Sequence, residues 1–338
     1  MERNVLVDRL KGYACFLVLF GHVIMGIRLA GIDIPQVFWW MEKFIWSFHV
    51  ALFLFLSGVV YNVTGEWRGK KTKAGFLLHK LYTLGIPYVT FSVVYILINS
   101  VVANVNTGFS LADILDIWKT PVAQYWYLYA LFFLFCIWTI LSGLLNNWQI
   151  TLFAVALGYF IPFCGISISS LELVLYSALA FGIGTFVNFK RITNIPTWSK
   201  CIIVFVHLVS GTVLVLFDSI EASIIKELMM LFGIYSSVLL ISMLHTIKPF
   251  ARFLDFVNRY SFQIYLLHTI FTAGIRIVMI KLNVNNWVIH VLVGTIFGLV
   301  CSVLVAKLAE KVKLLNAFFF PAKSFPFKKG ENKHGISS

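Results

Sequence analysis

Ten apolar runs of membrane length constrain this chain more than anything else in it. They lie near 12–30, 44–63, 84–104, 125–145, 149–164, 171–189, 200–217, 226–246, 261–280 and 287–306. A helix needs roughly 20 apolar residues to cross a bilayer core. Only helices satisfy their own backbone across lipid at these lengths, and the strict alternation of a membrane barrel is absent. The expected fold class is all-α: a polytopic membrane protein with about ten transmembrane helices. Composition agrees, with 12% charged residues against the ~25% usual in soluble domains, and a mean hydropathy of +0.89. The fifth run is short and holds Pro162 near its end. The first run is as long as a full span and is not followed by a small-residue cleavage site, so it reads as a retained helix rather than a signal peptide.

A net charge of +13 invites nucleic acid as a partner, but the distribution of the charge argues against it. The basic residues gather in alternate loops: with the N-terminus inside, 21 of the 27 Lys and Arg fall in cytoplasmic segments. That is the positive-inside pattern, and it places both termini in the cytoplasm, with anionic lipid headgroups as partners. The basic segment 307–338 is expected to be disordered or to lie on the inner leaflet. The five cysteines fall in or at the ends of apolar runs and form no CxxC pair, so they read as packing residues. No Walker-type or HExxH motif occurs, no His, Cys, Asp and Glu cluster has metal-ligand spacing, and no internal repeat is visible.

Inside the apolar runs, a few polar residues stand out because ionisable groups at bilayer depth are costly and face cavities or partners. His22 lies near the middle of the first run and Lys11 at its cytoplasmic mouth. Their spacing puts them on one helix face, about 16 Å apart along the axis. Either His22 is a mid-membrane base with Lys11 as a cationic anchor, or His22 is a packed, hydrogen-bonded residue beside a snorkelling lysine. His49 is expected near the outer end of the second run, as a site residue or an interfacial anchor. Ser57-Gly58, deeper in the same run, reads as close helix packing rather than as a nucleophile, since no GxSxG turn surrounds it. The fourth run opens with AQYWYLYALFFLF, whose Trp126 and Tyr129 suit either an interfacial belt or a platform for sugar rings. In the ninth run, Ser261, Tyr265, His268, Thr272 and Arg276 recur every three or four residues and make a polar track facing the bundle interior. No run holds an acid at its centre, which counts against an ion-coupled carrier and leaves histidine-centred acid–base chemistry.

Five segments then occur in order: DRLKGYACFLVLFGH, SFHVALFLFLSGVVY, a basic loop leading to TLGIPY, QYWYLYALFFLF and NRYSFQIYLLH. In this order the chain resembles the integral-membrane acyltransferases that O-acetylate surface polysaccharides, acyltransferase family 3, over roughly residues 5–306. It looks most similar to the branch with fucose acetylases and biofilm-polysaccharide modification proteins. The resemblance implies a 1–306 membrane acyltransferase domain in a bacterial cytoplasmic membrane. It also implies an acyl group, usually acetyl, taken from cytosolic acetyl-CoA as co-substrate and delivered to a sugar hydroxyl of a surface glycan or lipid-linked precursor. The family's basic-x10-His pattern falls on Lys11 and His22, which become the expected catalytic residues. Lys80, His49, Trp126, Tyr129, His268 and Arg276 become expected substrate contacts, with no metal. Where the family carries several arginines before its Pro-Tyr pair, this chain has Lys80 and Tyr82. The alternative from a different class is an exporter of a glycan or lipid-linked sugar, for which the polar track and aromatic rim would be a conduit.

Overall fold

The structure, a computed structural model, describes residues 4–65, 70–101, 109–216 and 223–324. Among them there is no strand. The helices are α1 (Val5–Leu29), α2 (Gln36–Trp46), α3 (His49–Thr64), α4 (Lys70–Lys80) and α5 (Ile86–Val101), then α6 (Trp126–Leu141), α7 (Asn147–Phe163) and α8 (Ser169–Phe186). They continue with α9 (Phe189–Thr193), α10 (Thr197–Leu216), α11 (Ser223–Leu244), α12 (Lys248–Arg259), α13 (Ser261–Lys281), α14 (Trp287–Lys311), α15 (Lys313–Phe319) and α16 (Pro321–Ser324). Nine helical stretches among the described residues are long and apolar enough to cross a membrane, and α7 is apolar but shorter. The protein is an all-α polytopic membrane protein, and each of the ten apolar runs has its helix.

One boundary differs from the sequence reading in a way that matters. The second span begins at Gln36, not near 44, and runs to Thr64 as two helices broken at Ser47-Phe48. Residues 36–43 carry Glu42 and Lys43 and read as external loop, yet they form the first half of a crossing. His49 therefore sits at the middle of the span rather than near its outer end. The break is paid for locally. Ser47 Oγ donates to the Phe44 carbonyl at 2.7 Å and His49 Nδ1 to the Ile45 carbonyl at 2.8 Å, so neither carbonyl is orphaned where no water is present.

Helix packing follows small residues. At Gly58 a Cβ would fall on the Phe181 carbonyl, and at Gly184 on the Phe55 carbonyl, so α3 and α8 touch backbone to backbone. Gly58 thus takes the close-packing role expected of the Ser57-Gly58 pair. Helices α1 and α13 run parallel, with Cys15 beside Ser261 and His22 beside His268. Amphipathic α12 lies across the start of α1, where Arg9 forms a two-point ion pair with Asp255 at 3.0 Å and also donates to the His245 carbonyl. A wider π-type turn at Leu81–Gly85 joins α4 to α5 just before Pro87, whose missing N–H cannot continue the normal ladder.

Within the 307–338 segment, α14 extends to Lys311 and α15–α16 follow to Ser324; residues 325–338 and Arg68 of the basic loop lie outside the described residues. Phe319 and Phe320 are buried. The Phe319 ring meets Phe91 at 5.2 Å, and its carbonyl accepts from Gln263 Nε2 at 2.5 Å. This stretch of tail thus docks on α5 and the start of α13.

Candidate active site

Three helices each bring one histidine to a common point. His22 comes from α1, His49 from the break that opens α3, and His268 from the first half of α13. The His22 and His268 ring centres are 4.9 Å apart, edge to face. Trp46 bridges the other gap, 4.9 Å from His22 and 4.4 Å from His49. All three rings are held in the same way, each with Nδ1 on the backbone carbonyl four residues earlier: Val18 at 2.9 Å, Ile45 at 2.8 Å and Ile264 at 2.8 Å. A carbonyl only accepts, so each Nδ1 carries the hydrogen and each Nε2 keeps its lone pair. The Nε2 atoms of His49 and His268 are buried without a hydrogen-bond partner among the described residues.

The start of α6 fixes α13 at this level. Tyr125 donates to the Leu266 carbonyl at 2.8 Å, Tyr265 to the Gln124 carbonyl at 2.5 Å, and Gln124 Nε2 to Thr269 Oγ1 at 2.6 Å. These three bonds clamp one turn of α13 on both sides of His268. They also satisfy polar groups that have no water to turn to.

A cavity of about 940 Å³ opens beside the histidines. Its wall includes Lys11, His22, His49, Trp126 and Arg276 from the expected site, together with Ser261, Tyr265 and Thr272 of the polar track. Along α1 it reaches from Lys11 to Leu29, which is about 27 Å at the helical rise, close to the ~30 Å of a hydrocarbon core. Lys11 stands at one end, Arg276 towards the other, and His22 between them. No carboxylate is among the described residues that line it.

Three expected residues lie off this wall: His268, which stands behind it against His22, and Lys80 and Tyr129. The Lys80 ammonium sits over the rings of Phe135 at 4.4 Å and Phe76 at 5.0 Å. The Tyr129 hydroxyl donates to the Trp118 carbonyl at 3.1 Å, and its ring packs on Tyr88 and Phe133. On α6 the cavity side belongs instead to Gln124, Trp126 and Tyr127. Tyr127 pairs with Ser57 at 3.3 Å, so the Ser57 hydroxyl, though it lines the cavity, is engaged by a phenol rather than by a histidine.

Sequence reasoning missed Trp46, Tyr127 and Glu42. Trp46 could have been found from its place three residues before His49. Glu42 is 3% exposed and forms a two-point ion pair with Arg28 at 2.8 and 2.9 Å, an acid inside a span whose first half was read as loop.

A family model described as an acyltransferase domain matches residues 4–307. The chain belongs to acyltransferase family 3. No curated protein and no solved structure matches it. For this membrane acyltransferase the geometry supplies what acyl transfer needs from a protein. It offers an imidazole with a free lone pair, a largely apolar chamber that limits water, and cationic ends. Among the described residues, no group of three or more His, Cys, Asp and Glu is placed to hold a metal ion.

Proposed function

We propose that this acyltransferase moves an acetyl group from cytosolic acetyl-CoA to a sugar hydroxyl of a surface polysaccharide or its lipid-linked precursor, in a bacterial cytoplasmic membrane. The observation that carries the reading is one cavity of membrane depth with Lys11 at one end, the aromatic Trp126 and Arg276 in its wall, and the free-Nε2 histidine His22 between. A donor and an acceptor can enter such a cavity from opposite sides and meet at a base.

The step follows from the tautomer. The sugar hydroxyl approaches the thioester carbonyl, and His22 Nε2 takes its proton as the oxygen attacks. The C–O bond forms, the C–S bond breaks, and the proton passes from His22 to the departing thiolate of CoA. His268, whose ring centre lies 4.9 Å from that of His22, and His49, across Trp46, are neutral and fixed by backbone, and they stabilise the imidazolium that forms. Direct transfer fits better than a serine relay, because Ser57 pairs with Tyr127. Lys11 orients the donor at the cytoplasmic mouth, while Lys80 and the basic loop draw in the CoA phosphates. Trp126 stacks on the acceptor, and Tyr129, beside Trp118, meets it at the rim. The 1–306 unit performs the transfer.

The test is base-labile acetate released from purified surface glycan in three strains: wild type, a deletion, and the deletion carrying His22→Ala at matched protein level. Loss of acetate in both mutants with glycan yield unchanged supports the transferase. Unchanged acetate with reduced surface glycan supports the exporter.

A further inference from the structure

Two arginines stand near the end of the cavity away from Lys11, and they are treated in opposite ways. Arg28, with its side chain 38% exposed, is matched to Glu42 by two hydrogen bonds. Arg276 is 8% exposed, lines the cavity, and has neither a carboxylate nor a hydrogen-bond partner among the described residues. Its guanidinium lies against Gly26, where a Cβ would fall on Nη1, so the helix opposite has been left bare to seat it. The polar groups lining the cavity nearby are neutral: Tyr95 and Asn99 of α5 and Thr272 of α13. An uncompensated guanidinium is costly at bilayer depth. Arg28 shows that this end of the fold can neutralise an arginine with its own acid, and the fold does not do so for Arg276.

We propose that Arg276 binds an oxyanion, a phosphate or a carboxylate, carried covalently by the acceptor sugar. The inference rests on the reading of this cavity as the site of acyl transfer, and it adds that the acceptor is anionic. The anion at Arg276 anchors one end of the acceptor while its hydroxyl reaches His22. From His22 to Gly26, against which the guanidinium lies, is about 6 Å along α1, a separation that a single sugar ring spans. The guanidinium fork matches either oxyanion at two points and discriminates strongly against a neutral sugar.

The experiment uses the full-length protein in nanodiscs of phosphatidylcholine alone, so that no lipid oxyanion with net charge competes. Binding of glucose 1-phosphate, glucuronate and glucose is measured by calorimetry for wild type, Arg276→Gln, Arg276→Lys and Gly26→Ala. One of the two anionic sugars is expected to bind wild type roughly 10- to 100-fold more tightly than glucose. Which one it is identifies phosphate or carboxylate. Arg276→Gln should erase that preference while melting no lower than wild type, because it removes an unpaired buried charge. Arg276→Lys should keep part of the preference, and Gly26→Ala, which displaces the guanidinium without removing it, should weaken it. Equal binding of all three sugars by wild type, or an undiminished preference in Arg276→Gln, overturns the proposal. So does a preference abolished by adding phosphatidylglycerol to the disc, which assigns the site to a lipid headgroup. Acetyl release from glycan is scored separately: an acetyl-free result in wild-type cells with the anion preference intact removes the transfer reading and leaves the oxyanion site standing.

Discussion

Two neighbouring regions that bury histidines differ in one respect: only one of them looks like a site. His22, His49 and His268 converge through α1, α3 and α13, and His22 and His49 line the cavity. His207 of α10 is also buried, at 3% exposure, but it sits in a box of Phe44, Phe48 and Phe232, with ring centres 4.8, 5.5 and 5.3 Å away. It is not among the residues lining the cavity. Both regions place imidazoles at membrane depth, so depth alone does not mark function. The first region adds a carbonyl on each Nδ1 and, for His22 and His49, a place on the wall of an open chamber. Phe48 belongs to both regions: it faces His207 on one side and lines the cavity next to His49 on the other.

The largest expected effect is at His22. His22→Ala should lower acetyl transfer roughly 100- to 10,000-fold, the usual worth of a positioned general base, with protein level in the membrane unchanged; transfer within tenfold of wild type would remove His22 from the chemistry. His268→Ala or His49→Ala should cost roughly 10- to 100-fold in kcat with little change in KM for acetyl-CoA, because each acts on the proton-bearing His22 rather than on the donor. A change confined to KM would instead make them binding residues. Lys11→Met should do the converse. It should raise KM for acetyl-CoA roughly tenfold and leave kcat within a few fold, as removal of a charge-assisted contact to the donor does.

Much of this was legible in the sequence. The ten runs, the shared face of Lys11 and His22, and the polar track on α13 all follow from helical period and the cost of polar groups in lipid, and the structure puts Lys11, His22 and Arg276 on one cavity wall. What was not legible follows from one assumption, that a charged stretch beside an apolar run is loop. Glu42 and Lys43 broke the pattern, so α2 was cut off the second span and His49 was placed too far out. The fold hides Glu42 by pairing it with Arg28, 14 residues earlier in sequence and on another helix, and no periodicity within one segment reports such a pair. Likewise, the choice between Tyr127 and Tyr129 on α6 depends on which face of that helix meets α13. That orientation is set by Tyr125 and Gln124 reaching the α13 backbone and Thr269.

The smallest expected effect sharpens the comparison most. His207 Nε2 is buried without a hydrogen-bond partner among the described residues. A buried nitrogen that lacks a partner costs about 1–3 kcal/mol, and an apolar side chain of similar volume avoids that cost. His207→Leu should therefore leave acetyl transfer within about twofold of wild type and raise stability by about 1 kcal/mol, read as a higher melting temperature in detergent. The same exchange at His268, equally buried and equally lacking a partner on Nε2, should also spare the fold but should cost activity heavily. If both leucine variants behave alike in transfer, the contact between His268 and His22 does no chemistry and the site reduces to His22. If they diverge as expected, burial alone does not make an intramembrane histidine work, and the 4.9 Å approach of His268 to His22 is what the merely packed His207 lacks.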